Sequence, residues 1–330
     1  MQKATNFIDD YLNGKYQDDK LPDFPSSDFT RVEGTDLTNG LVIEDKIGNQ
    51  YVWIEVPKTS EVYPTAGLNI TNFTEGEYTA IEEDLHTYAD DYRHTFSEYI
   101  KGNPTDTWYS VAQSGIEEEE YYNLKKKMLK SIYENGGFWI GRYEAGIDTY
   151  RAESGEATVV PLSKANRYPY TNVTCSQAQI LASSVDAGNC TSSLMFGIQW
   201  DLVLKYLETK GVAQSELNTN SLSWGNYKDA TYNITKENAK YSTNVSTWVA
   251  GSYNHVNGTV ALITTGASNK LIMQNISDIA GNVWEWTLEN SNIQSTPCPF
   301  RGGGYKGFGS TRPASYRHKY ATTYNSDDVG

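Results

Sequence analysis

Apolar positions along the chain gather into short runs whose spacing changes several times. Leu41-Val-Ile-Glu44 and Gln50-Tyr-Val-Trp-Ile-Glu-Val56 are rich in β-branched and aromatic residues, and Gly48-Asn49 separates them. This arrangement predicts a β-hairpin whose second strand ends at Pro57. From Thr74 to about Gly136 the spacing turns helical. Thr74-x-x-Glu77 and Ser114-x-x-Glu117 both read as capping boxes. After the second, Leu124, Met128, Leu129 and Ile132 recur on one face until Asn135-Gly-Gly137 stops the helix. Lys101-Gly-Asn-Pro104 divides this helical segment in two. Phe138 to Gly146 then predicts a strand running into a turn. Thr174–Ala182 and Ile198–Leu207 predict two further helices, with Gly211 closing the second. From Ser221 to Asn275 periodicity is weak, which predicts loops with short strands. At the other end, residues 1 to 20 suggest a short amphipathic helix, and the two prolines of Leu21-Pro-Asp-Phe-Pro-Ser-Ser27 suggest an extended linker. The expected class is α+β. An N-terminal segment and linker (1–35) precede one domain (36–330) that carries a helical insertion at about 64–135.

Composition narrows the functions open to such a domain. The 330 residues include 25 tyrosines and carry a net charge of −14. That charge repels phosphate backbones and anionic lipid, which argues against nucleic-acid and membrane-surface partners. It suits cationic partners or calcium. Tyrosine with serine, asparagine and glycine is a palette for adaptable recognition or for amphipathic filling of loops. Cys175, Cys190 and Cys298 form no C-x-x-C pair, so a structural zinc site is not expected. Cys175 and Cys190 are close enough in sequence for a disulfide, but reduced, buried thiols acting as small apolar residues are the favoured expectation. The first ten residues lack the apolar core of a signal peptide, and no run is long enough to span a bilayer.

The most constrained stretch is Asp278-Ile-Ala-Gly-Asn-Val-Trp-Glu-Trp286, followed by Arg301-Gly-Gly-Gly-Tyr305. Together with Gln50–Pro57, Phe138–Glu144, Tyr168–Ala178 and Gln199-Trp-Asp201, in this order, it resembles the formylglycine-generating (sulfatase-modifying) enzyme family. That family has a C-type-lectin-like fold, so the resemblance implies short strands, two core helices and long loops. It covers roughly residues 48–330, interrupted by the helical insertion. It does not carry the activity across. The family's oxidases bind copper through two cysteines after the glycine pair, and the matching positions here are Gly307 and Arg312. The four histidines His86, His94, His255 and His318 form no local pattern for the non-heme iron of a related branch. Neither copper nor iron is therefore expected, and the expectation is of a protein that is not an enzyme. A calcium loop is what the resemblance retains: carboxylates from Asp278 and Glu285 and carbonyls from Gly281 and Val283, supplying hard oxygens.

The tail after Gly303 resembles the variable region of lectin-fold proteins diversified by retroelements. Pieces such as Pro313-Ala-Ser-Tyr-Arg317 and Val329-Gly330 alternate with residues typical of scattered adenine-rich codons, although Lys306 and Lys319 depart from that pattern. The expected ligand-binding set is Tyr305, Phe308, Thr311, Arg312, His318, Tyr320, Tyr324, Ser326 and Asp327, displayed toward a protein or glycan ligand. The resemblance implies a bacterial cell-surface or phage-virion setting, with anchoring or oligomer contacts through the N-terminal segment. The alternatives carried alongside are an oxidase of the family's type and a structural pilus or virion component.

Overall fold

The computed structural model describes residues 22–93, 105–185, 190–234 and 236–330. The expected N-terminal helix and the Lys101–Pro104 break lie outside these residues. An antiparallel sheet runs in the order β1 (Thr30–Arg31), β2 (Val42–Glu44), β3 (Gln50–Glu55), β4 (Gly137–Gly141). The hairpin forms as its pattern predicts, and Gly48 takes the positive φ of its turn. Trp53 and Trp139 sit directly opposite one another across β3 and β4, with ring centroids 5.1 Å apart. Residues 30–31 belong to this sheet, and Phe29 and Thr35 are buried.

Seven helices occur among the described residues: α1 (Glu75–Tyr88), α2 (Asp90–Arg93), α3 (Val111–Ser114), α4 (Glu118–Asn135), α5 (Cys175–Ser183), α6 (Gly197–Thr209) and α7 (Gln214–Asn218). Thr74 and Glu77 close a reciprocal capping box on α1. The second expected box does not form. Ser114 ends the one-turn α3, and its hydroxyl donates to the carbonyls of Ser110 and Ile116. Gly115, in the left-handed region, then breaks the chain, so α4 starts at Glu118 with no side-chain cap. Gly136 ends α4 with a positive φ as expected. A box missed in the sequence, Thr174 with Gln177, starts α5.

The helical segment between β3 and β4 packs into the core. Tyr121 donates its hydroxyl to Leu288 O at 2.8 Å, and Gln113 donates to Glu289 O at 2.8 Å. The Asp106 carboxylate accepts from the amides of Gly197 and Ile198 at 2.7 and 3.0 Å, so an acid from this segment caps α6. Helix α6 buries nine of its 13 residues and is the central helix of the main core.

Elsewhere the strands are short and antiparallel. β5 (Gly146–Ile147) pairs β6 (Tyr168–Pro169). β7 (Tyr232–Ile234) pairs β10 (Tyr253–His255), while β8 (Lys240–Ser242) lies between β9 (Val249–Ala250) and β11 (Leu262–Ile263). β12 (Ile272–Met273) pairs β13 (Ile276–Ser277). The last sheet, in the order β14 (Glu285–Trp286), β15 (Cys298–Arg301), β16 (Arg317–Tyr320), holds the motif region. The whole is a mixed α+β arrangement of small antiparallel sheets and helices. No helix among the described residues is long and apolar enough to cross a membrane.

Candidate ligand-binding surface and its acidic support

The C-terminal sheet is anchored on both faces. Trp286 is buried and donates its indole N–H to Val173 O at 3.0 Å, while Trp284 packs edge-on to Phe300 at 4.9 Å. The chain's last residues return to this strand: Trp284 N donates to Asp328 O, Gly330 N to Trp284 O and Trp286 N to Gly330 O, at 2.8 to 3.0 Å. Beneath it, Arg301 and Arg317 meet Asp201 and Glu289, and each of the four side chains is at most 3% exposed. Two guanidiniums and two carboxylates balance to zero charge, which allows such a group to be buried. Burial raises the Glu289 carboxyl, but Arg317 and Arg301 outweigh it and draw the pKa down to about 2. Arg301 of the glycine motif and Asp201 of Gln199-Trp-Asp201 are thus core partners. Gly281 has a positive φ, and a Cβ there would lie 2.3 Å from Asn226 O, so only glycine fits.

On this support lies an aromatic surface. Alternation along β16 puts His318 and Tyr320 on one face, parallel to each other (3°) at 5.1 Å, and Phe300 lies parallel beneath both. Tyr324 continues the stack on Tyr320 at 3.7 Å. The Arg312 guanidinium sits 5.6 Å from the Trp284 ring and makes no ion pair among the described residues. His318, Tyr320, Tyr324 and Arg312 are all partly exposed, and Phe308 (46%) and Thr311 stand out at the loop tip. Burial, with the charges of Arg312 and Lys319, holds the His318 imidazole below its ordinary range, which favours the neutral ring.

The expected binding set therefore divides. Phe308, Thr311, Arg312, His318, Tyr320 and Tyr324 reach the surface. Tyr305 does not: it is 1% exposed, and its hydroxyl donates to Asp327 at 3.0 Å. Asp327 is further tied to Lys306, and the Ser326 hydroxyl donates to Asp327 and Asp328. These three residues brace the tail, because a phenol drawn into the core needs an acceptor there. Positions 307 and 312 adjoin: a Cβ at Gly307 would lie 2.9 Å from Arg312 Cδ. Neither side chain offers a thiolate.

The acidic loop holds one more acid than the sequence suggested. Glu144, just after β4, accepts from Asn282 Nδ2 at 2.6 Å and Val283 N at 3.1 Å. Asp278 takes a positive φ and accepts from Gly266 N at 2.6 Å, leaving Oδ1 buried with no partner. Glu285 Oε2 is likewise buried and unpartnered. Burial pushes all three acids up, Asp278 to about 7, and the Asp278 charge adds to the rise at Glu144 and Glu285. Gly281 contributes its amide to Gly302 O, and Val283 its amide to Glu144. In the sequence Glu144 stands out only as the end of the segment Phe138–Glu144. No local spacing links it to residues 278–285.

A different trio, Glu82, His86 and Asp106, brings three candidate metal-ligand atoms within 4.8 Å of one another. The Lys125 ammonium already serves that cluster, at 3.0 and 2.9 Å from Glu82 and 2.9 Å from Asp106 O, and Asp106 caps α6. Cys175 and Cys298 are buried thiols outside any disulfide. Cys175 interacts with Cys298, and the two share a buried cluster, whereas Cys190 packs elsewhere. Among the described histidines, His255 is buried and stacked on Tyr232 at 4.6 Å and His318 lies in the surface stack; His94 lies outside the described residues. No family model, curated protein or solved structure matches the chain.

Proposed function

We propose that this chain is a non-catalytic display protein of C-type-lectin-like, formylglycine-generating-enzyme-like fold that binds a protein or glycan ligand on its C-terminal aromatic surface. The observation that carries the proposal is the partly exposed parallel stack of His318, Tyr320 and Tyr324 beside Arg312, on a sheet whose underside is tied by a buried charge network. Rigid aromatic rings give large contact area at low entropic cost, and Arg and Tyr are the usual energetic anchors of interfaces. Retroelement diversification of the tail, and a bacterial-surface or phage setting, are part of the proposal. A reverse transcriptase gene beside a near-copy of the final codons that differs at adenines supports diversification; without such a near-copy that element fails. On the protein, Tyr320→Ala and Arg312→Ala should each weaken ligands selected from a glycan array or a displayed peptide library by about 30-fold, the effect of losing a hot-spot residue. Selected ligands that bind both variants unchanged would place the binding surface elsewhere.

The proposal includes a structural calcium ion. The orphaned oxygens of Asp278 and Glu285 are hard donors of the type calcium takes, and the carbonyls of Gly281 and Val283 complete the set implied by the resemblance. Calcium would neutralise the buried acids and stiffen the loop beneath the sheet. The expected pH behaviour follows from the raised carboxyls. In chelator, the folded state holds protons that the unfolded state has released. Stability from Asp278 is therefore full below the ordinary carboxyl range and is lost as pH rises through about 7. Calcium needs the ionised acids and should raise Tm more at pH 8 than at pH 5. Thermal melts with calcium and with chelator at the two pH values test this, and equal calcium shifts, or none, would remove the ion from the proposal.

A further inference from the structure

Two buried thiols meet between α5 and the C-terminal sheet. Cys175 is the first residue of α5, and Cys298 opens β15. Cys175 Sγ donates to Thr287 O at 3.6 Å, and Thr287 N in turn donates to Pro299 O at 3.3 Å. The start of the helix is thereby seated beside the residue that follows Cys298. The two thiols interact directly, and each residue is at most 1% exposed. Strand register puts Cys298 opposite Tyr320, and alternation puts it on the face that carries Phe300 and His318. Cys190 packs in a different cluster, with Phe29 and Ile43.

We infer that Cys175 and Cys298 form a disulfide that staples α5 to β15 when the chain folds in an oxidising medium. The tertiary fold selects this pair over the one nearer in sequence, because Cys190 is held against other side chains. The link closes a loop of about 120 residues, and a loop of that length removes much of the freedom of the unfolded chain. The oxidant is a small disulfide of the glutathione type. The thiolate of one cysteine attacks a sulfur of the oxidant and expels a thiolate. The thiolate of the other then attacks the mixed disulfide and expels the second. Two thiol protons pass to solvent, the cysteine pair loses two electrons, and the oxidant takes them up as it becomes two thiols. Burial sets the order of events. In the folded chain the contact with Cys298, and burial after it, push the Cys175 thiol well above its ordinary range, and a buried thiol is a poor nucleophile. The exchange therefore belongs to folding, while both thiols are still in water, and the finished bond is sealed from reductants. The inference rests neither on ligand display nor on calcium.

Unfolding in guanidinium with a reductant, then refolding in a mixture of reduced and oxidised glutathione, tests it. When the refolded protein is denatured without reductant and alkylated, Cys190 alone should take the label. Proteolysis should release a peptide pair joined through Cys175 and Cys298. The urea midpoint of the linked protein should stand about 1 M above that of the same protein kept in reductant, the loop-closure effect spread over the denaturant slope. Cys298→Ala should lose both the joined peptides and this difference, whereas Cys190→Ala should keep both. Cys190→Ala leaves the thiol pair untouched and carries the test if Cys298→Ala does not fold. Label at Cys175 and Cys298 after oxidative refolding, peptides joined through Cys190 instead, or equal midpoints for linked and reduced protein would overturn the inference.

Discussion

Asp201→Ala is expected to cost about 3–5 kcal/mol of stability, read as a lowered urea midpoint with an unchanged slope. The reason is the fate of the groups left behind. Arg301 reaches Asp201 at 2.7 Å, and Arg317 reaches both its oxygens at 2.8 and 2.7 Å, in a site with almost no solvent exposure. Removing the carboxylate leaves two guanidiniums against Glu289 alone. Neither can lose its proton under ordinary conditions, so the site carries an unpaired buried charge. The loss should exceed that for any exposed pair, such as Lys130 with Glu134, whose removal should cost no more than about 1 kcal/mol. A cost below about 1 kcal/mol for Asp201→Ala would mean that water reaches the network and that the C-terminal sheet is not held from beneath.

A comparable loss, about 3–5 kcal/mol, is expected for Trp286→Ala. The ring is 2% exposed, stands edge-on to Phe300 at 5.2 Å and satisfies Val173 O through its indole N–H. Alanine removes that packing and the donor and leaves a cavity. Trp286→Phe keeps most of the ring volume and should recover much of the loss. Because Phe300 also lies under His318 and Tyr320, Trp286→Ala should broaden the aromatic resonances of the surface stack in NMR spectra. Unchanged resonances together with an unchanged urea midpoint would show that the stack does not depend on the tryptophan beside it.

The sequence by itself determined the features set by short-range chemistry. The Thr74–Glu77 box, the Gly136 helix stop, the hairpin at Gly48 and the two core helices need only neighbours a few residues away, and all of them form. It also marked residues 278–286 and 301–305 as a constrained pair, which the structure joins as adjacent strands with Glu285 opposite Arg301. Tertiary structure alone decided which polar groups lost their water and which partners then met them. Asp106 caps a helix about 90 positions away, Glu144 reaches Asn282, and Arg317 turns inward to Asp201 while its neighbour His318 faces the surface stack. Tyr305, polar enough to be read as exposed, is drawn into the core because Asp327 receives its hydroxyl. A charged or hydroxyl side chain has the same local signature whether solvated or buried. Its role is set by burial and by the partner found across the fold, and neither is encoded in residue spacing.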